Sequence, residues 1–78
     1  MEREIIELEM KKGMEDAILY FRNKSVGEIE KEYEEVSRII REMIKEYGTA
    51  VYDSIDYWYL LGWRKGITKL LYEIKNRR

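Results

Sequence analysis

Residues 56–66 read DYWYLLGWRKG, and this stretch decides how the chain can fold. Tyr57 to Trp63 hold two Trp, two Tyr and two Leu around one Gly. On a helix at about 100° per residue, the large apolar side chains around this stretch divide into two groups. The larger group is predicted to form the core face, and it consists of Tyr52, Ile55, Tyr59, Leu60, Trp63, Ile67, Leu70, Leu71 and Ile74. A face this wide indicates a central helix that contacts two others.

The smaller apolar group falls on roughly the opposite side of this helix. It consists of Tyr57, Trp58, Leu61 and Tyr72, alongside Ser54, Lys65 and Thr68. If exposed, these residues form an apolar patch with a polar rim, which is typical of a protein interface. The predicted partner interface is therefore Tyr57, Trp58, Leu61, Lys65 and Tyr72. The alternative is internal packing against helix one, whose second apolar group (Ile5, Leu8 and Leu19) also needs a partner.

Two glycines lie on the border of the predicted core face. Gly62 and Gly66 are four residues apart, and glycines at this spacing let a neighbouring helix approach closely because no Cβ intervenes. A flexible point in the helix is the alternative. We expect close packing.

Helix one is predicted over residues 2–22 and helix two over residues 26–47. One face of helix one carries Ile6, Met10, Gly13, Met14, Ala17, Ile18 and Phe21 at a 3.6-residue period. Helix two carries a heptad seam of Val26, Ile29, Tyr33, Val36, Ile40, Met43 and Tyr47, widened by Ile39 and Ile44. Before it, Ser25 and Glu28 have the spacing of a capping box.

The junction between helices two and three centres on Gly48, which is expected to end helix two in a left-handed conformation. Thr49 or Asp53 is the expected cap of helix three, predicted over residues 50–75. With Asp53 as the cap, Asp56 falls in the first turn, where a carboxylate meets free backbone N–H groups. A single Gly costs a helix only about 1 kcal/mol, so one long helix in a dimer is the alternative.

These elements predict a single domain spanning residues 1–78. The fold class is all-α, a small three-helix bundle built on an antiparallel helical hairpin of helices two and three, with helix one packed across them. A chain of 78 residues has room for only a small core, and such chains often gain stability from a second copy. We therefore expect an oligomer.

The charges are distributed unevenly along the chain. Residues 64–78 carry six cations and one Glu, a net charge of +5, so the remainder is −6. The start of helix two is acidic: Glu28, Glu30, Glu32, Glu34 and Glu35. Matched edges of a hairpin explain this asymmetry. The alternative is that the basic helix three and its aromatic residues bind nucleic acid. The predicted contacts would then be Arg64, Lys69, Lys75, Arg77 and Arg78. The pI of about 5.6 is low for a nucleic-acid-binding domain. A membrane-surface helix and an acidic mimic of nucleic acid are further alternatives.

The composition argues against catalysis and against metal binding. There is no His and no Cys, which removes the commonest general base, nucleophile and metal ligands. We therefore expect no enzyme activity, no catalytic residue, no cofactor and no metal site.

The charged amino-terminal segment lacks the apolar run of a signal peptide, and a cytoplasmic location is expected. The predicted function is protein–protein interaction, through self-association or as a small regulator or assembly subunit.

Overall fold

Three α-helices form the framework in a computed structural model that describes residues 1–77. They are α1 (Arg3–Phe21), α2 (Val26–Tyr47) and α3 (Ile55–Lys75). The all-helical class is confirmed, and no strand occurs within those 77 residues. The bounds of α1 and α2 agree with the prediction to within a residue. Because α2 ends at Tyr47 and α3 is a separate helix, the single long helix is not formed.

Local sequence signals set the two ends of α2. At the start, the Glu28 backbone N–H donates to Ser25 Oγ at 3.2 Å, which is one of the two bonds of the expected capping box. At the end, Gly48 has φ 57°, a conformation that glycine adopts without the steric cost of a Cβ. Ser25 is therefore confirmed as the cap of α2, but the return bond from the Glu28 side chain that would complete the capping box is not formed. Gly48 ends α2 at positive φ as expected, although its ψ of −137° differs from that of the left-handed helix.

The start of helix three was predicted wrongly. Gly48–Asp53 form a 3₁₀ helix, and α3 begins at Ile55 rather than near residue 50. Its cap is Ser54, whose Oγ accepts from the Tyr57 N–H at 3.4 Å, and not Thr49 or Asp53. Both of those residues lie inside the 3₁₀ helix, whereas Ser54 has the extended backbone that a cap requires. Asp56 falls in the first turn of α3, as expected.

The glycines of α3 bring α1 unusually close. A Cβ built on Gly62 would lie 2.7 Å from Met10 Cα, and one on Gly66 would lie 2.6 Å from the Met14 carbonyl oxygen. Both contacts join residues 52 positions apart, so α1 and α3 run in the same direction at this contact. The predicted close packing is confirmed, and Gly13 of α1 contributes to it from the other side, with a built Cβ 2.9 Å from the Trp63 nitrogen.

The core lies on both sides of α3. This helix contacts α1 and α2, which touch each other at most marginally, so the prediction of a central helix is confirmed. The prediction that helix one packs across both other helices is wrong, because α1 packs on α3 through its glycine face and hardly reaches α2. The buried apolar residues are Ala17, Phe21, Ile29, Val36, Ile40, Val51, Tyr57, Ile67 and Leu70. The predicted core face is wrong at one end, because Tyr52 and Ile55 are 51% and 50% exposed. Tyr52 precedes α3 and Ile55 is its first residue, and no neighbouring helix covers this end of α3.

The molecule is thin and elongated. Its extents are 41 × 25 × 17 Å and its radius of gyration is 13.2 Å, above the roughly 11.5 Å expected of a compact domain of this length. Its accessible surface is 5779 Å², whereas a monomer of this mass typically has about 5,100 Å². Three helices with α3 in the middle therefore leave much apolar surface uncovered.

Candidate protein-interaction surfaces

The outer side of α3 carries four of the five predicted interface residues. Trp58, Leu61, Lys65 and Tyr72 lie along it, and we call them the α3 outer face. Trp58 and Leu61 are half-buried, Lys65 is exposed, and Tyr72 is 69% exposed. Trp58 and Leu61 also pack against the core from one side, and Lys65 borders a depression that it shares with Met10 and Met14 of α1. Tyr72 is thus the most exposed apolar residue of this face.

Tyr57 does not belong to this face. It is only 7% exposed and lies in the core, which corrects its predicted position on the outer side. The reason is helical periodicity: Tyr57 lies two turns before Arg64, whose Nη1 donates to Ser37 Oγ of α2 at 3.5 Å. Both residues therefore lie on the side of α3 that faces α2.

Trp58 is held in one orientation by its surroundings. Its Nε1 donates to the Tyr52 carbonyl oxygen at 2.8 Å, across the cap of α3. Its ring lies 5.1 Å from the Tyr57 ring, edge to face, and 6.2 Å from the Tyr52 ring. An indole fixed in this way loses little side-chain entropy on binding a partner.

The outer side of α1 forms a second apolar surface. Ile5, Leu8 and Leu19 are 42%, 57% and 62% exposed. The alternative in which they would cover the α3 outer face is not observed, because α1 turns its glycine-containing face toward α3. The apolar residues on the outer side of α1 and those of the α3 outer face therefore do not cover each other.

The sequence prediction missed a third group of exposed apolar residues, at the junction of α2 and α3. Ile44, Tyr47, Tyr52 and Ile55 are all exposed there. The signal in the sequence that could have indicated this exposure was Gly48 with the capping residues that follow it. They mark a break between two helices, and apolar residues beside such a break often lack a neighbouring helix to cover them.

Two polar contacts across the helices fix side chains within the fold. Trp63 Nε1 of α3 donates to Glu32 Oε2 of α2 at 3.0 Å. The Tyr59 hydroxyl donates to Asp16 Oδ2 of α1 at 2.6 Å. That bond to Asp16, together with burial and the negative charge of the carboxylate, raises the pKa of Tyr59 to about 12. Each carboxylate satisfies a donor of the central helix, which is a structural role.

The residues of the nucleic-acid alternative are not gathered into one surface. Arg64 is half-buried against Ser37, and Lys75 Nζ lies 3.5 Å from Glu30 Oε2 of α2. Lys69 and Arg77 are exposed, and Arg78 lies outside the described residues. Two of the four described cations thus contact α2, Arg64 at a hydroxyl and Lys75 at a carboxylate.

Searches for other kinds of site and for similar proteins gave no candidates. Over residues 1–77, no group of three or more Asp and Glu side chains is placed to hold a metal ion. Within the same residues, no helix has the length and hydropathy needed to cross a membrane. Comparisons with family models, curated proteins and solved structures found no match to this chain.

Proposed function

We propose that this protein is a non-enzymatic protein–protein interaction module that binds a partner through the α3 outer face. The observation that carries the proposal is a row of apolar side chains on the central helix that stays at least partly exposed: Trp58 and Leu61 are half-buried, and Tyr72 is 69% exposed. Trp and Tyr dominate the energetics of protein interfaces, and here Trp58 is already oriented and Tyr72 is accessible.

The frame of the module is an antiparallel hairpin of α2 and α3 within an oligomeric three-helix bundle. The contacts from Glu30 to Lys75 and from Glu32 to Trp63 support this arrangement. They join the acidic start of α2 to the basic helix α3. A partner would then bind the remaining side of α3, between the sides on which α1 and α2 pack.

The charges beside the α3 outer face indicate the chemistry of the partner. Lys65 and Lys69 are exposed and lie within one helical turn of Leu61 and Tyr72. The matching surface is an apolar groove or helix face with Asp or Glu at its rim. Charges at a rim mainly set association rate and specificity, so binding should weaken only modestly with salt.

The test uses Tyr72→Glu with Tyr47→Glu as the matched control. Both tyrosines are exposed, at 69% and 55%, and each lies in the last turn or turns of a helix. The unmodified protein and each variant are used as bait in a lysate of the native host. The unmodified protein and Tyr47→Glu should capture the same proteins, whereas Tyr72→Glu should lose one specific partner. Circular dichroism should show the same helicity for all three chains. Identical captures from all three would contradict the proposal.

Nucleic-acid binding is the second candidate, favoured by the exposed Tyr72 beside Lys69, where a base could stack near a cation. Fluorescence anisotropy with labelled single-stranded DNA and RNA separates the two. Tight binding at about 150 mM salt would favour nucleic acid, because binding that depends on phosphate contacts alone weakens steeply with salt.

A further inference from the structure

The outer side of α1 carries a heptad pattern. Its residues follow one another at spacings of three and four: Ile5, Leu8, Lys12, Glu15, Leu19 and Arg22. We call this row the α1 outer seam. All six residues are exposed, and the seam lies opposite the glycine face that packs on α3. A row at this spacing is the pattern by which one helix packs along another.

The seam is complementary to itself when read in the opposite direction. In an antiparallel pair centred between Lys12 and Glu15, Leu8 of one copy meets Leu19 of the other. In the same pair, Lys12 meets Glu15, and Ile5 meets Arg22, whose aliphatic stem can cover the isoleucine while its guanidinium stays in water. Each contact occurs twice because a two-fold axis relates the copies. A parallel pair would instead place Lys12 beside Lys12 and Glu15 beside Glu15, and like charges facing each other destabilise.

We infer that α1 is the site at which the chain dimerises, with the α1 outer seams of two copies packed antiparallel. This rests on the proposed interaction role and deepens it, because it assigns self-association to α1 and leaves the α3 outer face for another protein. What argues for a second copy as the occupant is the charge complementarity of the seam with itself, because Lys12 of each copy would meet Glu15 of the other across the two-fold axis.

The acidic residues beside the seam do not oppose this pairing. Glu9 Oε1 already lies 3.3 Å from Lys12 Nζ, and Asp16 accepts from the Tyr59 hydroxyl. An ammonium group has three donors, so Lys12 can keep Glu9 and still reach Glu15 of the second copy. Glu9 and Asp16 are therefore each partnered within the chain.

The charge pairing makes a sharp test possible with Lys12→Glu and Glu15→Lys. Sedimentation equilibrium over a concentration series should show a dimer for the unmodified protein. Each single variant should dimerise about tenfold or more weakly, because both charge pairs of the dimer become repulsive. An equimolar mixture of the two variants should associate at least as well as the unmodified chain, since every Glu then meets a Lys. The double variant should dimerise as the unmodified chain does.

Other outcomes would overturn the inference. A monomer at every concentration would exclude the dimer and leave the α3 proposal to its own test. A dimer weakened by Tyr72→Glu but not by Leu8→Lys would place self-association on the α3 outer face. A mixture that stays as monomeric as its components, with helicity unchanged, would exclude the antiparallel charge pairing.

Discussion

Gly62 shows how a single missing atom fixes the spacing of two helices. At this position the obstacle to a Cβ is the backbone of Met10, with its Cα 2.7 Å away. A flexible side chain could rotate aside, but a helix backbone cannot. A larger residue would therefore have to separate α1 from α3 along the contact that holds them together.

We predict that Gly62→Ala lowers the free energy of unfolding by more than about 2 kcal/mol, because overpacking forces a backbone shift. Gly27→Ala is the matched control, since nothing lies within 4 Å of a Cβ built there. That control should stabilise α2 by about 0.5–1 kcal/mol through helix propensity. Urea denaturation of both variants measures the difference, and equal effects would mean that the helices are not in close contact at Gly62.

The sequence identified Gly62 and Gly66 as a point of close approach, but it could not name the neighbour. Spacing within one helix reports which residues share a face, and it carries no information about what covers that face. Gly13 was assigned only to an apolar face of helix one, although it is the reciprocal half of the same contact. Pairing two such faces depends on the path of the whole chain.

The start of α3 shows why helix boundaries are difficult to predict at the scale of the element. Thr49, Asp53 and Ser54 are all residue types that cap helices. The choice among them depends on where the preceding 3₁₀ helix ends, and Val51 anchors that helix in the core at 1% exposure. A tertiary contact therefore selects the cap.

We predict that Ser54→Ala lowers the free energy of unfolding by about 1 kcal/mol, the usual cost of removing a capping side chain. Thr49→Ala should change it by less than about 0.5 kcal/mol, as expected of a surface substitution away from any cap. Thermal unfolding followed by circular dichroism compares the two. If Thr49→Ala proved the more damaging, α3 would begin earlier in solution.

The three helices differ in how well periodicity alone predicts their buried faces. In α2 the apolar residues are confined to one seam, and Ile29, Val36 and Ile40 from its centre are buried. In α3 apolar residues occur nearly all round, so the pattern does not define a single face. Tyr57 was placed on the wrong side for that reason.

At the scale of the whole molecule, the central position of α3 should govern how the fold opens. Detaching α1 or α2 from the fold breaks only its interface with α3. Exposing α3 to solvent requires that both of these interfaces break. We predict that amides near Ile67 exchange with solvent more slowly than any in α1 or α2, at rates near the limit set by global unfolding. Native-state hydrogen exchange measures this order. Slowest exchange in α2 would contradict a fold organised around α3.

The sequence predicted the class and the central helix, because both follow from local periodicity. It did not predict that the outer sides of α1 and α3 would both stay open, since that depends on how three helices are arranged in space. An arrangement only 17 Å thick offers too little surface to cover every apolar side chain. The interface residues could therefore be proposed from the sequence, but their exposure had to be observed.

The glycine contact between α1 and α3 also has a consequence for synthesis of the chain. Met10 and Gly62 meet, so α1 leaves the ribosome well before α3, the helix on which it packs, has been made. Closing a loop of that length costs entropy that local helix formation does not repay. The nascent α1 thus keeps its glycine face uncovered throughout the translation of α2, and the contact between α1 and α3 can form only after most of the chain has been made.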